Sequence, residues 1–151
     1  MLREMRLCDI DVVVEMVGRQ MFDESAFSSL NFDDDKCRDY LARIVSRDAC
    51  FGCVGEVDGR VVGFLTGFVS EYFFGRDLIA TEELWYVLPE HRSSALGLGL
   101  LGAFEDWARG KGVSEVGVAL WTGNDPDRVG GILERRGYGY MGGSYKLSVV
   151  A

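Results

Sequence analysis

The chain is poor in histidine, proline and positive charge: one His, two Pro, and 16 Lys and Arg against 24 Asp and Glu in 151 residues, for a net charge of −8. Each shortage excludes something. A lone histidine, His91, supports a Ser/His/Asp or Cys/His site only if partners converge on it, and nothing in the sequence suggests that they do. The deficit of basic residues argues against a protein that tracks nucleic-acid phosphates, so no nucleic-acid partner is expected. An acidic surface keeps a protein soluble and is compatible with steering a cationic substrate. Long apolar runs are missing as well. The longest, Val61 to Val69, is broken by glycine and threonine and falls far short of the ~20 residues a spanning helix needs, so no membrane partner is expected. The opening MLREMRLCDID carries charges where a signal peptide has its apolar region, and a cytoplasmic location is the expectation. Cysteine is sparse: Cys8, Cys37, Cys50 and Cys53. Cys50 and Cys53 form a CxxC with no second pair, and on a strand they point to opposite faces, which poorly supports a zinc site. No metal is expected, and the thiols read as reduced and mostly buried.

What the chain does contain is a hydrophobic fraction of 48%. That is enough for a packed globule, here a single domain over 1–151 that buries roughly 70% of its unfolded surface. In order, Met1 to Leu7 reads as a short strand. Asp9 caps a helix to about Phe22 with an apolar stripe of Ile10, Val13, Val14 and Val17. A second helix runs from Asp33–Asp35, three acids at its positive dipole end, to about Ser46. Strands Ala49–Val57 and Arg60 to about Tyr72 are joined by Asp58-Gly59, a hairpin signal. After the aromatic connection Glu71–Asp77 comes a strand ending Glu83–Val87. Ser114–Trp121 reads as a strand, Asp127–Arg136 as a helix stopped by Gly137, and Tyr138–Val150 as a last strand kinked at Gly142-Gly143. The order is β-α-α-β-β-β-α-β-α-β, a mixed sheet flanked by helices.

The stretch Glu83 to Gly112 organises the rest. Trp85, Tyr86 and Val87 form a strand that Pro89 ends. Leu100, Leu101, Phe104, Trp107 and Ala108 then recur at helical spacing, and Gly110 and Gly112 close the helix. Between strand and helix lie Arg92, Ser93, Ser94, Ala95, Leu96 and Gly97. Small residues and free amides at a positive helix end suit a phosphate group. Gly97-Leu98-Gly99-Leu100-Leu101-Gly102 also spells the GxGxxG of dinucleotide folds. There, however, the first glycine follows its strand at once, whereas here Pro89 to Leu96 intervene and the glycines fall inside the helix. Gly99 and Gly102 read as allowing close packing of that helix on the sheet.

This order, with Val87-Leu88-Pro89-Glu90-His91-Arg92 followed by Ala95 and Gly97, resembles the GNAT superfamily of acyl-CoA N-acyltransferases, whose pyrophosphate loop reads Arg/Gln-x-x-Gly-x-Gly/Ala. Alanine stands at the first glycine position here, tolerable if the backbone there is not left-handed. Leu133-Glu134-Arg135-Arg136-Gly137-Tyr138 looks like the family's Tyr-Glu-Arg-x-Gly-Phe, and Asp58 to Phe64 like its early hairpin. The resemblance covers nearly the whole chain. It implies a mixed, mostly antiparallel α/β sheet and acetyl-CoA as acyl donor. The donor would lie along Val87, Leu88 and Pro89, its diphosphate held by amides from Arg92 to Gly97, with Asn124 bonding the pantetheine arm unless it merely makes a turn. It also implies transfer to a primary amine of a small molecule or protein; family members often pair, and for this chain a homodimer and a monomer both stay open.

Amine acetylation needs a base, because an alkylammonium titrates near 10.4. Strand alternation places Glu83 on one face with Trp85 and Val87, and some family members carry a glutamate four positions before this valine. Glu82, on the opposite face, is the second choice, and either can simply be a solvated strand-end carboxylate. The family's general acid is the tyrosine whose position is Leu133 here. Tyr138, Tyr140 or Tyr145 would have to substitute, against a competing role in core packing. A thiolate titrating near 8.5 also departs unaided. Phe27, Tyr72, Phe73 and Phe74 lie in connections on the family's acceptor side, where they either shape a substrate pocket or cap the core. The departure at Leu133 keeps a second reading open, a catalytically weak or inactive module that binds acyl-CoA or a protein partner.

Overall fold

A computed structural model of the chain describes residues 1–121 and 125–149. Its centre is a five-stranded sheet in the order β1-β2-β3-β4-β5: Leu2–Glu4, Cys50–Val57, Arg60–Glu71, Leu78–Val87 and Glu115–Gly117. The first four strands run antiparallel and β5 lies parallel to β4. Asp58 and Gly59 turn β2 into β3 with φ of 50° and 76°, the left-handed pair that a two-residue hairpin demands.

Helices cover both faces. On one side a continuous helical run comprises a 3-10 turn (Leu7–Asp9), α1 (Ile10–Met16), a π-helical stretch (Val17–Met21) and a final turn, α2 (Phe22–Glu24). Helix α3 (Asp34–Ser46) packs beside it, capped by Asp33, whose carboxylate accepts the Lys36 amide at 2.9 Å. Val13, Val14, Met21, Leu41, Phe64 and Tyr86 form the core there. On the other side α4 (Leu96–Gly110) buries Leu100, Leu101, Phe104 and Ala108 against Leu65 and Ala80. Helix α5 (Pro126–Arg135) adds Leu133 to that core and ends at Gly137, where φ is 97°. Among the described residues no helix is long and apolar enough to cross a membrane.

Two expectations fail at the C-terminal end. Residues 138–149 form no strand; Tyr140, Met141, Tyr145, Leu147 and Val149 all stand exposed. Their alternation is genuine strand pattern, but Gly139, Gly142 and Gly143 weaken it, and among the described residues no neighbouring strand supplies a ladder. Strand β5 is also far shorter than Ser114–Trp121, because β4 pairs with it only from Ile79 to Thr81. Gly102 likewise has room to spare: a Cβ there would come no nearer than 3.9 Å to Arg136, whereas one at Gly99 would stand 3.0 Å from Leu2.

The feature that matters most for function is a break in register between β3 and β4. Gly67 pairs with Glu82 and Thr66 with Leu84, leaving Glu83 as the extra residue of a bulge. Gly67 makes this possible, since a Cβ there would lie 2.7 Å from both the Phe104 ring and the Thr81 carbonyl. Gly67→Ala is expected to cost about 1–3 kcal/mol by overpacking, read as a lower urea midpoint with m unchanged. An unchanged midpoint would mean that β4 shifts there freely.

Candidate active site

Past Thr81 the two parallel strands part, and the sheet opens into a cleft of about 570 Å³. Met21 lines it on the α1–α3 side, and Val129 and Ile132 of α5 on the other. Its floor is the stretch of β4 from Glu82 to Val87, and its rim the loop Arg92 to Ala95 with Gly97 and Leu98. The remaining wall is Ala119, Leu120 and Trp121, with Asp125, Pro126 and Arg128 at the start of α5. Because β5 has ended, the outer edge of β4 here is free to pair with an extended ligand.

The rim is built to hold an anion. Helix α4 starts at Leu96, and the amides of Ser93, Ala95, Gly97 and Leu98 have no acceptor among the described residues. Ala95 has φ −70°, so its methyl introduces no backbone strain. A Cβ at Gly97 would meet Trp85 and Val87 at 3.7 Å, ordinary contact that still leaves the approach open. Arg92 serves this loop from behind. Its Nε donates to the Val87 carbonyl at 2.9 Å, its Nη2 to Glu24 at 2.7 Å, and its guanidinium stacks over the Tyr86 ring at 5.1 Å. The side chain thus ties the loop to β4 and α2. The Val87 carbonyl, expected to meet a pantetheine arm, is engaged by Arg92.

The bulge reverses the expected facing of the two glutamates. Gly67 faces Phe104 and pairs with Glu82, so Glu82 lies on the α4 side with Trp85 and Val87. Glu83 turns the other way, toward α3, where its carboxylate accepts from the Tyr40 hydroxyl at 2.7 Å. Simple alternation fails because an extra residue flips the parity of everything beyond it. Both carboxylates still line the cleft. Glu82 is 3% exposed and accepts the Ala119 amide at 3.2 Å. Burial, with a smaller contribution from neighbouring Glu83, pushes its carboxyl up to about 8.

The other anticipated residues scatter. Tyr138 donates to the buried Glu105 of α4 at 3.0 Å, beside Arg136, and does not line the cleft. Leu133 is buried core. Phe27 packs against Trp121 with the rings tilted by 42° and their centroids 5.6 Å apart, at the edge of the cleft. Tyr72 packs against Phe74, and Phe73 is 98% exposed; neither reaches the cleft. Asn124 lies outside the described residues. Residues that sequence reasoning did not single out include Met21, Tyr40, Leu120 and Trp121. Only an acidic strand opposite a helix carrying one tyrosine hinted at Tyr40.

Residues 18–138 match the model of the "Acetyltransferase (GNAT) family". Over 81 residues the chain is 33% identical to an aminoglycoside N(6')-acetyltransferase type 1 of Klebsiella aerogenes, a match spanning 51% of this chain and 52% of the relative. The match thus spans about half the length of that curated relative. Among solved structures, the fold matches a predicted acetyltransferase of Clostridium acetobutylicum with acetyl-CoA (TM-score 0.76, 13% identity, 99% of this chain and 96% of the other). It also matches AAC(6')-Iy in complex with a bisubstrate analogue, CoA-S-monomethyl-acetylneamine (TM-score 0.74, 17% identity, 100% and 98%).

Proposed function

The chain belongs to the acetyltransferase (GNAT) family, and on that premise we propose that it transfers the acetyl group of acetyl-CoA to a primary amine of a small cationic molecule. The observation carrying this reading is the Glu82 carboxyl, buried inside the cleft between a free strand edge and a set of unpaired amides. The donor's diphosphate takes the amides of Ser93, Ala95, Gly97 and Leu98, and its pantetheine arm follows the free edge of β4 toward the glutamates. Main-chain donors near Val87 polarise the thioester carbonyl.

Glu82 takes the role of general base. An ammonium titrating near 10.4 must lose a proton before nitrogen can attack, and a carboxyl raised to about 8 accepts it far better than an ordinary one. The amine nitrogen then bonds to the carbonyl carbon, the carbon–sulfur bond breaks, and the electron pair leaves on sulfur. With Leu133 in the core, no phenol at the family's tyrosine position meets the thiolate. The thiolate departs as the anion or takes its proton from water. A net charge of −8, two adjacent carboxylates in the cleft and the aminoglycoside N(6')-acetyltransferase relative all support a polycationic acceptor such as an amino sugar.

The test is a thiol-release assay with acetyl-CoA and a panel of mono- and polyamines, run beside calorimetry with coenzyme A. Turnover with at least one polyamine is expected. Coenzyme A that raises the melting temperature without any amine being acetylated would favour a non-catalytic module. No heat with coenzyme A would remove the proposed role of the loop.

A further inference from the structure

The mechanism above leaves Tyr40 without a task, although its surroundings are unusually specific. This α3 side chain reaches across to the sheet and meets two groups, Glu83 Oε2 at 2.7 Å and Thr66 Oγ1 at 2.9 Å. A tyrosine hydroxyl has one proton. The carboxylate can only accept, so that proton goes to Glu83, and the Thr66 hydroxyl must then donate to Tyr40. The result is a one-way chain, Thr66 to Tyr40 to Glu83. Thr66 is fully buried, so its end of the chain is anchored in the core. The other end is a carboxylate at the floor of the cleft.

The bulge gives this chain its purpose. It decides which of the two successive glutamates takes which face of β4, turning Glu82 to the α4 side, where the unpaired amides lie, and Glu83 to the α3 side. Glu82 is bonded to a main-chain amide and nearly sealed, whereas Glu83 is half-buried and held by a side chain from another element. A free glutamate side chain would lose rotamer entropy on gripping a ligand; one already fixed by a phenol loses little, and binds a cation better for it.

We infer that Tyr40 is a positioning residue that, braced by Thr66, fixes Glu83 as an anionic subsite for a second ammonium group of the acceptor. This rests on the acetyltransferase reading and deepens it. It assigns the preferred acceptors to diamines and polyamines over monoamines, with Glu82 serving the reacting nitrogen and Glu83 the distant one.

The experiment uses the whole chain saturated with coenzyme A. Spermine and propylamine serve as probes, in wild type, Tyr40→Phe, Glu83→Gln and the double variant. Calorimetry reads spermine binding without turnover, and steady-state kinetics reads the ratio of kcat/KM for the two amines wherever turnover occurs. Tyr40→Phe is expected to weaken spermine about tenfold and to lower the spermine-to-propylamine ratio by a similar factor. Coenzyme A affinity should stay put, and the change should vanish in the Glu83→Gln background, where Tyr40 has no carboxylate left to hold. Thr66→Val should reproduce a smaller part of the loss. Failure of wild type to bind spermine, equal binding by wild type and Tyr40→Phe, or an undiminished Tyr40→Phe effect beside Glu83→Gln would overturn the inference. Because the binding arm needs no chemistry, an absence of acetylation with every amine would count against the enzyme reading alone.

Discussion

Glu82→Gln is expected to lower kcat by about 10²–10⁴-fold while leaving the affinity for coenzyme A nearly unchanged. The substitution keeps the shape of the side chain and an oxygen that can accept the Ala119 amide, so the lost property is proton acceptance. The pH profile provides the sharper test. Wild-type kcat/KM should rise through a first limb near pH 8, where the buried carboxyl ionises, and level off above it, because that carboxylate itself frees the amine from the bound ammonium. In the variant the first limb should disappear, and kcat/KM should climb only as the free amine accumulates toward 10. Glu83→Gln should leave the first limb in place. Should Glu83→Gln erase it and Glu82→Gln spare it, the assignment of the base would be reversed.

The same carboxyl makes a prediction about stability, and its sign is fixed by the direction of the shift. The folded chain holds this proton up to about 8, the unfolded chain only to about 4.5. Between those values the native state binds more protons, so raising the pH through this window removes stability, and the full cost is present above it. Glutamine carries no such cost. The melting temperature of Glu82→Gln relative to wild type should therefore climb from pH 5 to pH 9. A flat difference would mean that the carboxyl titrates alike in both states.

Much of this architecture was legible because local chemistry and tertiary packing agree. Asp58-Gly59 makes its hairpin, Asp33 caps α3, and the apolar stripe of α4 lies on the core as its spacing demands. The loop Arg92 to Gly97 was legible in part: the amides of Ser93, Ala95 and Gly97 have no acceptor among the described residues, whereas those of Arg92, Ser94 and Leu96 are taken by the Pro89 and His91 carbonyls and the Ser94 hydroxyl. The bulge was not. Nothing in Thr-Glu-Glu-Leu-Trp announces an extra residue; the cause lies across the sheet, where Gly67 lets Phe104 and the Thr81 carbonyl close in. One inserted residue then exchanges the facings of Glu82 and Glu83. The wall Ala119 to Trp121 was similarly hidden, because its role depends on β5 stopping early and swinging away from β4. At the C-terminus, alternation alone suggested a strand, but a strand needs an edge to pair with.

Phe104→Ala should produce the largest loss of stability. Phe104 is completely buried and stacks on Trp107 at 5.9 Å with the rings only 21° apart. Phe51 of β2 tilts against it at 5.4 Å, and the absent Cβ of Gly67 gives its ring a place to sit. Truncation removes a stacked pair and leaves a cavity that none of these neighbours can fill, because each is held by the sheet or by α4 itself. The expected cost is about 3–5 kcal/mol, a large share of the roughly 5–15 kcal/mol that holds a domain together. For a chain of this length that is a fall in Tm on the order of 10 °C. Phe104 lies in the middle of the helix whose first turn carries the phosphate-ready amides, yet it does not line the cleft. Saturating coenzyme A should therefore raise the Tm of the variant by about as much as it raises that of wild type. A much smaller increment in the variant would mean that α4 had shifted at its N-terminus. A fall of less than about 3 °C would mean that the core between α4 and the sheet can collapse around the missing ring, and that the bulge does not depend on it.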